Sequence, residues 1–289
     1  MGVFGTMNDH FIGSKFRRII PGSPVLIGCP LDLTTTYRHG CDDAPSAIRA
    51  SSYSLETFSP FFWRDLEDLS FGDVGDLSFV GLRMEDGLAL IEEAVCDGLA
   101  KGGLPLCMGG EHTITLPIVR ALESQKPGFV VLHLDAHTDL RQHYDGTGVN
   151  HATVIRRIAE VVGSDRLIQM GIRSGTREEW LWMRDHGTLL QWEALSDAVL
   201  DRRIGGRPVY LTLDLDVFDP ACMPATGNPE SGGWFYADFE RLLRKLQRHD
   251  VLGADVVELN PRLDPSEASS IMAAKILREI LILLARSRQ

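Results

Sequence analysis

Two kinds of hydrophobic pattern alternate along this chain. Short, nearly continuous apolar runs occupy residues 24–28, 104–108, 129–134, 166–171, 208–213 and 251–257. Between them, at 85–101, 115–124, 152–162, 177–185, 236–247 and 267–287, apolar residues recur at helical spacing. Several of the short runs are apolar at every position, as expected of strands in a parallel sheet covered on both faces. Strands alternating with helices predict an α/β fold, a three-layer sandwich around a mostly parallel central sheet. The chain contains no repeat, no low-complexity tract and no long Pro/Gly/Ser linker, so residues 1–289 are read as a single domain.

In such a sheet, ligands sit beyond the carboxyl ends of the strands. The polar clusters fall at those ends. Gly109-Gly110-Glu111-His112 follows one predicted strand and Asp135-Ala136-His137-Thr138-Asp139 the next; Asp214-Leu215-Asp216 closes a third and Glu258 a fourth. On extended backbone, alternate side chains share one face. Asp135, His137 and Asp139 therefore stand together, as do Asp214 and Asp216. Crowding these carboxylates is costly unless a cation neutralises them. Oxygen-rich sites with imidazole and no thiolate suit Mn²⁺, or else Mg²⁺, Zn²⁺ or Fe²⁺. The four aspartates balance two divalent ions, and His112 and His137 add neutral nitrogens. The set fits a two-metal site with ions about 3.5–4 Å apart.

These motifs, together with Asp-Leu-Asp-Val-Phe-Asp-Pro at 214–220, Glu-Leu-Asn-Pro at 258–261 and Ala225-Thr226-Gly227, resemble the ordered motifs of ureohydrolases, the family of arginase and agmatinase. The resemblance implies an arginase-like fold and two Mn²⁺ per chain. One ion would be held by His112, Asp135, Asp139 and Asp214, and the other by His137, Asp135, Asp214 and Asp216, with Asp135 and Asp214 bridging. It implies further that Glu258 grips a guanidinium, that His151 delivers a proton to the leaving amine, and that Thr226 lines the guanidinium pocket. Asp139, a ligand, counts with His151 and Glu258 among the catalytic residues. A metal-bridging hydroxide would attack the guanidino carbon and release urea.

Substrate choice rests on smaller differences. Arginases carry acidic residues just after Gly-Leu-Arg; here the stretch is Gly171-Ile172-Arg173-Ser174-Gly175-Thr176, without an acid. Thr34-Thr35-Thr36-Tyr37-Arg38-His39-Gly40 and Asp73-Val74-Gly75-Asp76 are similar to agmatinases. Agmatine, cleaved to putrescine and urea as in polyamine biosynthesis, is therefore the expected substrate. Arg141, two residues beyond Asp139, is read either as a surface or interface ion pair or as a substrate-binding residue. In the second role it would suit a carboxylate tail, as in guanidinobutyrate or guanidinopropionate. Arginine itself, or a non-catalytic ureohydrolase-like protein, completes the alternatives. Glu111 and Thr113 stand where many relatives carry Asp and Ser, next to a ligand rather than in its place.

Charge and composition narrow the partners. The chain has 29 Lys and Arg against 40 Asp and Glu, a net charge of −11, which disfavours nucleic acid and is compatible with a cationic partner; the small cationic guanidino substrate is what the resemblance implies. Five cysteines, none in a Cys-x-x-Cys pair, argue against a disulfide framework and for a reducing compartment. The start of the chain, residues 1–13, lacks the apolar core of a signal peptide. The most apolar stretch, 276–285, is too short and too charged to span a membrane. A cytoplasmic protein is expected. The resemblance implies a homo-oligomer, a trimer or hexamer, with the Ile- and Leu-rich terminal helix available to a partner. The aromatic run 58–64 is read as buried packing.

Overall fold

The computed structural model describes residues 10–15 and 18–286. Residues 1–9 of the N-terminal stretch and position 287 of the last predicted helix lie outside the described residues. The chain runs β1 (Pro24–Cys29), α1 (Ala44–Ser52), β2 (Phe58–Ser59), β3 (Arg64–Asp65), β4 (Gly72–Asp76), α2 (Met84–Ala100), β5 (Leu104–Gly109), α3 (Thr115–Gln125) and β6 (Val130–Leu134). It continues through α4 (Val154–Val162), β7 (Leu167–Met170), α5 (Arg177–His186), α6 (Asp197–Ile204), β8 (Val209–Asp214), α7 (Tyr236–Leu246), β9 (Val251–Val257) and α8 (Ala268–Arg286).

Seven of the strands form one sheet in the order β4-β1-β5-β9-β8-β6-β7, and neighbouring strands pair parallel throughout. The strand period of two assigns side chains to the two faces. Leu26 of β1 and Leu106 of β5 enter a core with α1, α6, α7 and α8. Val25, Ile27 and Cys107 enter the other, with α2, α3 and α4. The result is the expected helix–sheet–helix sandwich. The predicted motifs follow β5, β6, β8 and β9, four strands that are contiguous in the sheet although far apart in the chain.

Five elements escape the hydrophobic pattern: α1, α6, the two-residue strands β2 and β3, and β4. Helices α1 and α6 are short. Strand β4, Gly-Asp-Val-Gly-Asp, has a composition that disfavours sheet. Its stability comes from α1. The buried Arg49 guanidinium clasps Asp73 through Nε–Oδ2 at 2.8 Å and Nη2–Oδ1 at 2.9 Å, and reaches Asp76 Oδ1 at 2.5 Å. Asp73 also accepts the Phe11 and Gly75 amides. No periodicity could announce a strand held by a charge from another element.

Two expectations change. The apolar residues of α8, including Ile276, Leu277, Ile280 and Leu281, are wholly buried in the chain's own core, so they are not a face offered to a partner. The aromatic run divides between the two sides of the β2–β3 hairpin: Phe62 is buried, whereas Trp63, at φ 55°, is 78% exposed. Among the described residues, no helix is long and apolar enough to cross a membrane.

Replacing Arg49 by Met leaves Asp73 as a buried, uncompensated charge. Chemical denaturation should show a loss of about 3–5 kcal/mol. Arg49→Lys, which keeps charge but not the bidentate fork, should lose less. A loss below about 1 kcal/mol for Arg49→Met would put the pair in the range of a surface ion pair.

Candidate metal centre and active site

The site begins where β5 ends. A Cβ on Gly110 would lie 1.9 Å from the Leu31 carbonyl oxygen, so only glycine lets the loop after β1 pass here. The Glu111 amide donates to that same carbonyl at 2.8 Å. His112 follows, fully buried. Its Nε2 lies 2.9 Å from the Thr212 hydroxyl, which donates to Asp255 at 2.7 Å; Tyr210 donates to the other Asp255 oxygen at 2.5 Å. With Thr212's proton given to Asp255, Nε2 carries a proton; burial opposes the imidazolium, but Asp135, Asp139 and Asp214 hold the His112 pKa well above its ordinary value.

The other ring nitrogen of His112, Nδ1, points at carboxylates. Asp135 and Asp139 stand 3.2 Å from it and Asp214 3.4 Å, yet it is buried without a hydrogen-bond partner. The second imidazole, His137, has Nδ1 2.7 Å from Asp216 Oδ2 and 3.6 Å from Asp135 Oδ1. Asp135 thus belongs to both groups. The ends of β6 and β8 are tied directly, because the Ala136 amide donates to Asp216 Oδ1 at 3.0 Å. Asp214 in turn accepts the Asp216 amide at 2.8 Å. Asp139 sits at φ 52°, a strained position for a non-glycine residue. Its carbonyl there accepts the Ile155 and Arg156 amides at the start of α4.

The electrostatics record the crowding. Burial, reinforced by the Asp135 charge, raises Asp139 to about 7. Burial and the charges of Asp216 and Asp135 push Asp214 well above the carboxylate range. Burial opposes the imidazolium of His137, but Asp216 and Asp135 hold its pKa up at about 12. Protons are standing in for positive charge that the site calls for. Hard oxygens, two imidazoles that a cation could relieve of their extra protons, and no thiolate form a donor set that fits divalent metal ions. All six predicted ligands come together here.

The sequence reading overlooked His133. It is buried, its Nε2 lies 2.8 Å from Asp135 Oδ2 and its Nδ1 3.3 Å from Gln169 Nε2, so it fixes the orientation of Asp135. Its ligand atom also falls within the cluster of His112, Asp135 and Asp139. Its position two residues before Asp135, on the same face of β6, was the available signal.

The substrate side faces a pocket of about 860 Å³. Glu258 follows β9 at φ 67°, and this turn places its carboxylate against the His112 amide at 2.7 Å. Burial, with the nearby Glu111 charge, raises it to about 8. His151 lines the pocket at the start of the turn into α4. Burial and the positive field of His112 lower it to about 4, so it is neutral at pH 7. Arg141 also lines the pocket. Its guanidinium lies 4.6 Å from the Tyr144 ring centre, and no carboxylate among the described residues pairs with it. The surface ion pair is therefore not formed within the chain.

Thr226 departs from expectation. It is buried in a bridge to Leu259, outside the residues that line the pocket, and its hydroxyl has no partner. Other residues reach the pocket without having been singled out for it, among them the charged or aromatic side chains of Arg38, Tyr144 and Glu230. Glu230 accepts the Ser174 hydroxyl at 2.9 Å and lies 3.9 Å from His137 Nε2. Arg173 turns away to the carbonyls of Asp216, Val217 and Glu230, and so ties the loops together.

Comparison with known proteins bears on this geometry. A family model described as the arginase family matches residues 23–283. The agmatinase of Bacillus subtilis (strain 168) is 41% identical over 263 residues, covering 89% of this chain and 90% of that protein. The guanidinobutyrase of Pseudomonas aeruginosa is 34% identical over 276 residues, covering 89% and 85%. Among solved structures, the agmatine ureohydrolase of Thermoplasma volcanium superposes with a TM-score of 0.83 at 30% identity, covering 98% of this chain and 95% of that one. The parallel sheet, the ligand cluster at its carboxyl edge and these relatives agree: the chain belongs to the arginase family and is an agmatinase-like ureohydrolase.

Proposed function

We propose that the protein hydrolyses agmatine to putrescine and urea, with two divalent ions, manganese by first choice, at the carboxyl edge of the sheet. One observation carries the proposal: His112, His137, Asp139, Asp214, Asp216 and the buried carboxyl of Glu258 line one pocket, with Asp135 buried against both imidazoles. His112, Asp135, Asp139 and Asp214 would hold one ion, and His137, Asp135, Asp214 and Asp216 the other. Bound there, the ions supply a nucleophile from water at neutral pH and Lewis-acid stabilisation of developing charge.

The chain's own groups do the rest. Glu258, held by the His112 amide, pairs with the guanidinium and fixes the angle of its carbon. A cation in the pocket favours the ionised carboxylate over the protonated form that burial alone promotes. Neutral His151 takes up a proton from solvent and gives it to the departing nitrogen, which keeps the electron pair of the broken C–N bond, leaves as an amine and becomes an ammonium group in water. Glu230, 43% exposed on the pocket wall, is placed to meet the distal ammonium of agmatine. Arginine is disfavoured because the stretch 171–176 supplies no acid and Arg173 is spent on loop carbonyls.

A second substrate class is favoured by Arg141. An unpaired guanidinium in the pocket suits a carboxylate tail, as in guanidinobutyrate or guanidinopropionate, and one relative is a guanidinobutyrase.

Metal-stripped protein reconstituted with Mn²⁺ should release urea from agmatine faster than from arginine, guanidinobutyrate or guanidinopropionate, and a chelator should abolish the release. Turnover confined to the carboxylate-tailed compounds would overturn agmatine and assign the tail to Arg141. Glu258→Gln should lower kcat/KM for agmatine by about 10²–10³-fold, the range for breaking a buried charge pair; steady-state kinetics at saturating metal would read it. Ligands must shed protons to bind metal. Asp139 and His137 hold theirs up to about 7 and about 12 in the absence of a cation. Loading with Mn²⁺ at pH 7 should therefore release protons, and affinity should fall as pH falls, by titration calorimetry in buffers of differing ionisation enthalpy.

A further inference from the structure

Glu111 is not a ligand, yet it is fully buried beside one, and every group placed against its carboxylate is a donor. Oε2 accepts the amides of Leu33 at 2.8 Å and Thr34 at 2.6 Å; Oε1 accepts the Thr34 hydroxyl at 2.6 Å. A hydroxyl has a single proton. With that proton held by Glu111, Thr34 Oγ1 can offer only lone pairs to anything else it meets.

It meets His151 twice. The His151 amide nitrogen and the ring Nδ1 each lie 3.3 Å from Thr34 Oγ1. The amide is a donor by nature. Nδ1 can bond to an oxygen with no free proton only if Nδ1 itself carries one. A neutral imidazole protonated at Nδ1 has its lone pair at Nε2. The ring is held from another side by Tyr144, edge-on at 5.7 Å and 86° between planes. Tyr144 is itself fixed by the Asn150 side-chain amide, which donates to its carbonyl at 2.7 Å.

We propose that Thr34, oriented by Glu111, is a positioning residue that holds His151 in the Nδ1-protonated tautomer and aims Nε2 into the pocket. The relay is built across 117 residues of sequence, from the loop after β1 to the turn before α4. It gives a role to the Glu111 carboxylate next to His112 that metal ligation does not. The proposal rests on His151 as the proton carrier, but its first readout does not. The 3.3 Å spacing is long for a strong bond, and such contacts tighten once a substrate occupies the site.

The test reads the tautomer directly. Protein selectively ¹⁵N-labelled at histidine and loaded with diamagnetic Zn²⁺ gives long-range proton–nitrogen correlations, and His151 is assigned by its loss in His151→Gln. The expected wild-type pattern has a protonated-type Nδ1 and an unprotonated-type Nε2. Thr34→Val keeps the side-chain shape and the backbone bond to Glu111 but removes the hydroxyl; the tautomer should shift toward Nε2–H, and Thr34→Ser should restore it. With Mn²⁺ and agmatine, Thr34→Val should lower kcat about 10-fold, a fraction of a full acid–base contribution, with KM within about twofold, and Thr34→Ser should recover most of the loss. A wild-type His151 protonated at Nε2, or an unchanged tautomer in Thr34→Val, overturns the proposal. If Thr34→Val fails to fold or to hold metal, the wild-type tautomer alone decides. If His151→Gln keeps full kcat while the tautomer follows Thr34, His151 is not the proton carrier, yet the positioning by Thr34 stands.

Discussion

Burying Asp135, Asp139, Asp214 and Asp216 around two imidazoles is the constraint on which this molecule is organised. Like charges brought out of water repel and lose hydration at once, and the protein alone has too few donors to answer them. The consequences are visible at each group. Asp139 and Asp214 hold protons above the ordinary carboxylate range, Asp135 is held well below it by the imidazoles around it despite its burial, His137 is kept cationic, and His112 Nδ1 is buried with no hydrogen bond of its own. A protein that needed only stability would place leucines here. The arrangement makes sense as a seat for cations, with the folding energy of the sheet spent to hold the ligands in place before the ions arrive.

The scaffold around this seat is stiff for the same reason. Four contiguous parallel strands end at one level, and their loops are tied by bonds that cross between them: Ala136 to Asp216, Glu258 to Gly110, Arg173 to the carbonyls beyond β8. Backbone strain gathers at the site as well. Asp139 and Glu258 are both held at positive φ, where a non-glycine residue persists only if its surroundings insist. His133 and the Thr212–Asp255 pair stand behind the ligands and leave each with a single orientation. A divalent ion is sensitive to such detail, since tenths of an ångström in ligand position alter its affinity and its chemistry.

The substrate side has a different character. The end of the pocket nearest the candidate ligands carries the buried carboxyl of Glu258, a group that ionises readily once a cation pairs with it. The pocket lining carries charges of both signs, Glu230 and Arg141, so under the proposed function the tail of the substrate would meet a balance rather than a single contact. Guanidino hydrolysis is therefore the more deeply built property and tail preference the more adjustable one, consistent with relatives that are named for agmatine and for guanidinobutyrate.

The sheet was legible because its strands are buried on both faces: the runs at 104–108 and 251–257 need no partner to be recognised, and each ends at a motif. The six candidate ligands were legible as Asp and His at short spacing just beyond strand ends, although the chain leaves the extended conformation there, with Asp139 at φ 52° and a 3-10 turn over Leu215–Val217. Local spacing thus determined the fold class and the metal-binding chemistry. What depends on residues far apart in the chain was not legible. Strand β4 pairs with β1 and takes the Arg49 clasp on Asp73 from another element; the apolar face of α8 turns inward because α1 and the sheet cover it; Thr226 is buried in an isolated bridge to Leu259; and Thr34 meets His151 across 117 residues. Periodicity reports which side chains share a face, whereas a charge pair, a hydroxyl proton or a pocket wall is settled only when distant segments are brought within a few ångströms of one another.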